Sequence, residues 1–421
     1  MKILVSSTYF YPHISGLTIY PWRILKHLSK THQITVLTFN HKENKLKIFY
    51  HKINGKVFLC HPELDSGSQE KKILKQVQYD KLIKLKIIYL PYLFRLSKGF
   101  ISPQSFFYFL KEIKKANLVF FNQPNVEGLP LMILAKIFKK KTISLLHCFL
   151  FNEKKSYSSV ILNLFQDLLN NLIIKLANKI VKIQLLLSDK IIAYTKNYLE
   201  SFSIYHQIKD KVFFTLPPIK KLSVDKNFYQ KLKRKKEKNI WIGFSGRIAS
   251  EKGIEHLINS LKRFTFHVTR YTLIFAGPYG KDVSGEESYY LKIKEMLEKE
   301  KINHYFLGNL NESQLGAFYK VIDVLVLPSV NSTEAFGMVQ AEAMLLRTPV
   351  IATNLPGVRI PISLTKMGEV VETKNEEKLA EAIIKILKNR KKYTNKNLVK
   401  KAQKIFDIKN VYQFYKNIII K

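Results

Sequence analysis

Two glutamates separated by seven residues, Glu334 and Glu342, frame the run Ala335-Phe336-Gly337-Met338-Val339-Gln340-Ala341 directly after the apolar stretch Val324 to Pro328. The glycine lets backbone approach a ligand closely. A loop that turns into a helix here would aim its free amide hydrogens and the positive end of its dipole at a phosphate. Glu342, two turns on, can accept hydrogen bonds from ribose hydroxyls, although paired glutamates are also common on solvated helix faces. A second cluster is Gly246-Arg247-Ile248-Ala249-Ser250-Glu251-Lys252-Gly253. Its Arg247 can fork onto phosphate oxygens and its Lys252 can add a point charge, which together would stabilise a departing diphosphate. Taken alone, the same loop is an ordinary basic surface turn in a chain with 70 lysines and arginines. A third, Ala276-Gly277-Pro278-Tyr279-Gly280, brings Gly277 towards the same ligand or is only a turn.

These groups need strands that end beside one another. Apolar β-branched runs alternate with helical patterns along nearly the whole chain, which predicts repeated βα units and mainly parallel sheets, an α/β fold. In the first half the strands fall at Lys2 to Ser6, Gln33 to Thr38, Leu118 to Asn122, Thr142 to Leu146 and Lys190 to Ala193. In the second half they fall at Ile240 to Ser245, Tyr271 to Ala276, His304 to Leu307, Asp323 to Pro328 and Pro349 to Ala352, with helices at Gly253 to Arg263 and Ala335 to Leu346. Leu216-Pro217-Pro218 and the lysine-rich stretch Lys220 to Lys238 read as a linker and solvated surface. They divide the chain into domains at 1–217 and 218–400, with a terminal segment at 401–421.

The remaining features narrow the function. The 421 residues carry a net charge of +38, shared between the lysine bias of an AT-rich genome and attraction to anionic lipid or glycan. No recognised nucleic-acid module lies among the basic residues, so no nucleic acid is expected as partner. Cys60 and Cys148 have neither a disulfide nor a metal spacing, and the apolar start Ile3-Leu4-Val5 is too short for a secretory signal, which fits the cytoplasm. Lysines and asparagines interrupt every run long enough to span a bilayer. Lys81 to Leu110 mixes lysines with Ile, Leu, Tyr and Phe, either an amphipathic patch lying on a membrane or a core-facing helix pair with snorkelling lysines. Lys71 to Asp80 can be encoded by the strand complementary to codons for Val160 to Leu169, as GTC for Val160 reads in reverse as GAC for Asp80. Two oppositely oriented copies of one mobile DNA element explain that relation. Segments near 60–83 and 157–170 are therefore expected as tolerated additions in exposed loops, with Cys60-His61 no metal site.

The glycine-flanked basic loop, the second glycine turn, the two-glutamate helix start and Thr348-Pro349-Val350-Ile351-Ala352-Thr353-Asn354-Leu355-Pro356-Gly357-Val358-Arg359 follow one another as in retaining glycosyltransferase family 4, which the C-terminal half resembles. The resemblance implies the GT-B fold, two Rossmann-like doubly wound domains facing a cleft, with the N-terminal domain binding acceptor and the C-terminal domain binding a nucleotide-sugar donor. It implies that Arg247 and Lys252 hold the donor diphosphate, Glu342 the ribose, and that Glu334 lies near the transferred sugar. It also turns the amides of Gly337, Met338 and Val339 towards the donor. Tyr11-Pro12-His13-Ile14-Ser15-Gly16-Leu17 is similar to the family's first loop, with Gly16 alone where two adjacent glycines are usual. Leu145-Leu146-His147-Cys148 resembles the strand end with the family's active-site histidine, which makes His147 a candidate to contact the donor sugar. The segment from Phe406 resembles the family's terminal helix, which crosses back onto the N-terminal domain.

The activity implied is retaining transfer of a UDP- or GDP-linked sugar to a lipid-linked or surface-glycan acceptor, by a cytoplasmic enzyme peripheral to an anionic membrane. No cofactor or metal is expected, since Arg247 and Lys252 supply the positive charge. An inactive relative that binds glycan or membrane, and a nucleotide-sugar epimerase or phosphorylase, share the architecture. A nicotinamide enzyme is disfavoured because neither half has Gly-x-Gly-x-x-Gly after its first strand.

Overall fold

The computed structural model describes residues 1–10, 16–40, 44–52, 57–60, 83–96, 99–150, 160–262, 271–283 and 286–420. Residues 11–15 of the first loop and 61–82 and 157–159 of the expected additions lie outside them. The chain divides into two compact units, one of Met1–Leu150, Leu168–Pro218 and Lys409–Lys421, the other of Phe151–Asp167 and Ile219–Ile408.

The first unit is built on β1 (Lys2–Ser7), β2 (Gln33–Phe39), β3 (Lys47–Lys52), β4 (Val57–Cys60), β5 (Ile83–Leu90), the short hairpin β6 (Phe94–Leu96) and β7 (Gly99–Ile101), β8 (Leu118–Gln123), β9 (Lys141–Leu146), β10 (Lys190–Ala193) and β11 (Val212–Phe214). Nine of these form one sheet in the order β11-β10-β9-β8-β1-β2-β5-β3-β4. All pairings are parallel except at the β5-β3-β4 edge, which is antiparallel. β8 is buried along its whole length, as a strand covered on both faces must be, and its apolar run Leu-Val-Phe-Phe announces that. The described residues of the segment Lys81 to Leu110 are not a helix pair: they hold β5, the hairpin β6–β7 and the start of the helix Ser105–Ile113. Ile83-Lys84-Leu85-Lys86-Ile87 alternates with period two, so it enters the sheet as β5, with Leu85 and Ile87 buried. Residues 160–170 likewise open the helix Val160–Leu187 and are not a loop addition. They are rich in leucine and lack glycine and proline, so nothing in them stops a helix.

The second unit holds β12 (Ile240–Ser245), β13 (Tyr271–Ala276), β14 (His304–Phe306), β15 (Val324–Leu327), β16 (Val350–Thr353) and β17 (Gly368–Val371), all parallel, in the order β14-β13-β12-β15-β16-β17. This is the doubly wound Rossmann order, which reverses direction between β12 and β15. One core joins Ile242, Phe244, Leu273, Phe275, Val324 and Val326, on one face of the sheet, to the helices Ile254–Leu261, Glu287–Lys299 and Glu376–Lys388.

The end of the chain is two helices rather than one segment beginning at 401. Lys396–Ile405 belongs to the second unit, whereas the helix Ile408–Ile420 belongs almost wholly to the first. Fully buried Tyr415 of that last helix shares a hydrogen bond of 2.9 Å with the hydroxyl of Tyr20, in the helix Gly16–Leu28. His27 of the same helix stacks on Tyr412 at 3.8 Å. Tyr20→Phe or Tyr415→Phe alone strands a buried hydroxyl and is expected to cost about 1–3 kcal/mol. The double variant should cost less than the sum, because no orphan remains, and chemical denaturation of the three variants measures this.

Candidate functional site

In an open parallel sheet, ligands bind outside the carboxyl ends of the strands where the order reverses. In the second unit that crevice lies between the loop Gly246 to Gly253 after β12 and the loop Pro328 to Gly337 after β15. The loops are joined by the Val330 N–H, which donates to the Glu251 carbonyl at 3.1 Å, and by the Lys252–Glu334 ion pair at 2.5 Å. Both side chains of that pair are largely buried, with 14% and 18% exposure. Losing one partner would leave the other charge uncompensated. Glu334 uses its second oxygen as well, accepting the Gly337 N–H at 2.9 Å. Arg247 pairs with Glu251 at 2.6 Å and is 42% exposed. Glu251 is the buried side of that pair at 13% exposure, whereas the guanidinium reaches solvent, where it can turn towards another anion.

Two glycines shape the crevice. Gly277, at the tip of β13, has φ +140°, and a Cβ there would stand 2.1 Å from the Gly246 carbonyl oxygen. The two loops touch backbone to backbone, with the Gly246 N–H bonded to the Ala276 carbonyl at 2.9 Å. Gly337 adopts a left-handed conformation, φ 74°, as the N-cap of the helix Met338–Leu345. The amides of Met338 and Val339 fall in the first turn, where no intrahelical acceptor exists. Of the three amides expected to face a ligand, that of Gly337 is instead held by Glu334. Glu342 projects from the same helix, 8% exposed, and accepts from the Tyr319 hydroxyl at 3.3 Å. Tyr319 lies 3.1 Å from Ser245 Oγ, the last residue of β12 and the neighbour of Gly246. Arg247, Lys252, Gly277, Glu334, Gly337, Met338, Val339 and Glu342 thus converge on one edge of one sheet.

Glu251, Tyr319 and Ser245 escape a motif search. Glu251 is legible afterwards as the partner four residues from Arg247, a spacing that suits a salt bridge. Tyr319 gives no sequence signal, because its part depends on a helix outside the motifs.

The candidates in the first unit sit differently. Gly16 is the exposed first residue of its helix, beside the undescribed loop. His147, just beyond β9, is 2% exposed. Its Nε2 is 2.5 Å from the Asn122 side-chain oxygen, and its Nδ1 is bonded to the Tyr194 hydroxyl. Asn122 in turn donates to Ser7 Oγ at 2.9 Å and to the Leu17 carbonyl at 3.3 Å. Both ring nitrogens are therefore committed to the protein. His147 thus lies buried at the tips of β1, β8 and β9. Nearby Glu127, which no motif marks, accepts from Thr8 Oγ1 at 2.7 Å and from the Phe100 N–H at 2.7 Å, and desolvation raises its pKa. Among the described residues no three His, Cys, Asp or Glu side chains gather where they could hold a metal ion, and no helix is long and apolar enough to cross a membrane.

Across the whole chain the fold is that of GT-B glycosyltransferases, two Rossmann-like α/β units. Solved structures that share it include Anabaena HepE in complex with UDP-glucose, with TM-score 0.69 and 16% identity over 100% of this chain and 99% of that one. Another is WaaG, a glycosyltransferase involved in lipopolysaccharide biosynthesis, with TM-score 0.61 and 14% identity over 99% of this chain and 98% of that one. Likeness at that identity is one of fold. Residues 225–405 match the family of glycosyl transferases group 1, so the second unit carries a domain of that family. Capsular polysaccharide biosynthesis glycosyltransferase CapM of Staphylococcus aureus is 32% identical over 149 residues, 35% of this chain and 37% of CapM. The D-inositol 3-phosphate glycosyltransferase of Corynebacterium urealyticum is 30% identical over 152 residues, 35% of this chain and 34% of the relative. The chain spans little more than a third of the length of these curated relatives.

Burial holds the His147 imidazole down to about 3 from its ordinary 6.5. The folded state then binds fewer protons than the unfolded state between those values, so stability rises with pH through that window and is lost as pH falls from about 6.5. His147→Gln should flatten the acid side of the stability profile over that range while leaving the profile above pH 7 parallel to wild type, as urea titrations at stepped pH would show.

Proposed function

We propose that this chain is a retaining glycosyltransferase that moves a sugar from a UDP- or GDP-linked donor to a lipid-linked or surface-glycan acceptor. The observation that carries the proposal is the crevice between β12 and β15, where a half-exposed arginine, a largely buried lysine and first-turn amides lie at the point where the sheet order reverses. A nucleoside diphosphate fits that chemistry: Arg247 forks onto its phosphates, Lys252 adds charge, and Met338 and Val339 offer amides. Glu342, braced by Tyr319, accepts the ribose hydroxyls. The domain match in residues 225–405 and the capsule and inositol glycosyltransferases among the relatives support the class, and HepE with its UDP-glucose supports a UDP-linked donor.

The step itself is cleavage of the bond between the anomeric carbon and the donor's β-phosphate oxygen. The electron pair leaves with the diphosphate, stabilised by Arg247 and Lys252. The acceptor oxygen bonds to the anomeric carbon on the face the diphosphate leaves, and its proton passes to the leaving phosphate oxygen. Lys252 must exchange part of its bond to Glu334 for phosphate, which releases Glu334 towards the sugar. Fixed cations aimed at the charge that develops are expected to be the largest contribution to the rate. The two cations supply the charge in this scheme, with no metal required.

UDP, GDP and ADP, each at about 100 times its dissociation constant, would raise stability by about 2.7 kcal/mol if bound. One of the three is expected to raise the melting temperature of the wild type, and Arg247→Ala and Glu342→Ala to abolish the rise. Lys252→Ala should lower transfer about 10²–10³-fold, followed as nucleoside diphosphate release with acceptor glycan present. A folded protein that none of the nucleotides stabilises would favour an inactive relative, and a donor isomerised without acceptor would favour an epimerase.

A further inference from the structure

The helix Val160–Leu187 carries a side that the fold does not cover. Val181, Gln184 and Leu185 are buried against the first unit, yet Leu168, Leu172, Leu176, Ile183 and Leu187 stand exposed at 69%, 53%, 53%, 37% and 37%. At about 100° per residue these five fall within an arc of roughly 100°, and at 1.5 Å rise they run about 29 Å along the helix. Exposed apolar side chains in such a line are unlike the scattered single ones that any surface has. Lys175 and Lys179, both exposed, and half-exposed Lys182 fall along one edge of the same arc. Residues 168–187 contain no aspartate or glutamate, and these three lysines make no ion pair with any described residue. The helix Leu129–Ile137 lies on the same face of the sheet: it packs with Phe121 of β8, the long helix packs with Ile191 of β10, and both strand residues stand in register with Ser144 of β9. It adds Ile133 and Ile137, exposed at 48% and 67%.

We infer that this face docks on an anionic phospholipid bilayer, with the leucines entering the interface and the lysines reaching the headgroups. Charge selects the occupant. An apolar stripe edged by unanswered lysines suits a surface that is apolar inside and negative outside. A second copy of the chain would set the same unneutralised lysines against each other, since a twofold pairing uses the same patch twice. The net charge of +38 adds long-range attraction to the same surface. The inference stands apart from the proposed transfer activity, since an inactive protein with this helix would bind equally well.

The test is co-sedimentation of the full chain with phosphatidylglycerol–phosphatidylcholine vesicles and with phosphatidylcholine vesicles alone. The wild type should pellet with the anionic vesicles, less so as salt rises, and stay in solution with the neutral ones. Each lysine near the surface contributes about fivefold in partitioning, so Lys175→Gln with Lys179→Gln should weaken binding roughly 30-fold. Leu172→Gln with Leu176→Gln should weaken it at least as much. Both variants should keep the wild-type melting temperature, and the exposed lysine pair guards against a leucine variant that fails to fold. No binding to anionic vesicles would overturn the inference, as would variants that pellet like wild type. A wild-type dimer that the leucine variant dissociates, with vesicle binding unchanged, would assign the face to a second copy instead.

Discussion

Six parallel strands ending at one edge are the constraint on which the candidate site depends. Parallel strands need long crossovers, so every loop that leaves a carboxyl end is followed by a helix start, and each start offers unbonded amides at the same rim. Between β12 and β15 the crossovers depart in opposite directions and leave a crevice between the loops. The residues that fill it come from sequence positions more than eighty apart, yet Lys252 and Glu334 touch. The absence of a side chain at Gly277 lets the loop after β13 close against the loop after β12, which fixes the wall behind Arg247.

Much of this was legible in the sequence because buried parallel strands read as unbroken apolar runs. Trp241-Ile242-Gly243-Phe244 and Val324-Leu325-Val326-Leu327 admit few other fates, and the motifs follow their ends directly. What stayed hidden depends on distant partners. β5 was obscured by Lys84 and Lys86, whose alternation with Ile and Leu also describes a half-wet surface segment. The setting of His147 required Asn122 from β8 and Tyr194 from just beyond β10, and no spacing along the chain reveals that both ring nitrogens meet protein groups. The break at Phe406-Asp407 is legible only through the resemblance, which starts the terminal helix at Phe406. Both flanking segments are good helices, and neither glycine nor proline marks the join.

The His147 network shows how the first unit treats its own reversal point, between β1 and β8. There Ser7, Asn122 and His147 hydrogen-bond one another across the strand ends, and Tyr20 packs edge-on against the imidazole with centroids 5.3 Å apart. A neutral imidazole suits that place, since it donates at Nε2 to the amide oxygen and accepts at Nδ1 from a phenol. A protonated ring would carry a charge into this buried place, and burial disfavours it. The same topological feature is thus charged and open to exchange in one unit, and neutral with satisfied hydrogen bonds in the other.

The excess of positive charge also separates into two kinds. At the crevice each cation is answered: Arg247 by Glu251 and Lys252 by Glu334. A compositional drift towards lysine would add cations without such partners, so the matched carboxylates there argue for a site whose charge is set and not accumulated. On the helix Val160–Leu187 the opposite holds, because Lys175 and Lys179 make no ion pair with any described residue and lie beside exposed leucine. Drift accounts for such lysines singly, but it gives no reason for apolar side chains to keep to one arc of the helix with the lysines at its edge. That coincidence of apolar area and unneutralised charge, rather than the total of +38, is what makes the face a surface for an anionic partner.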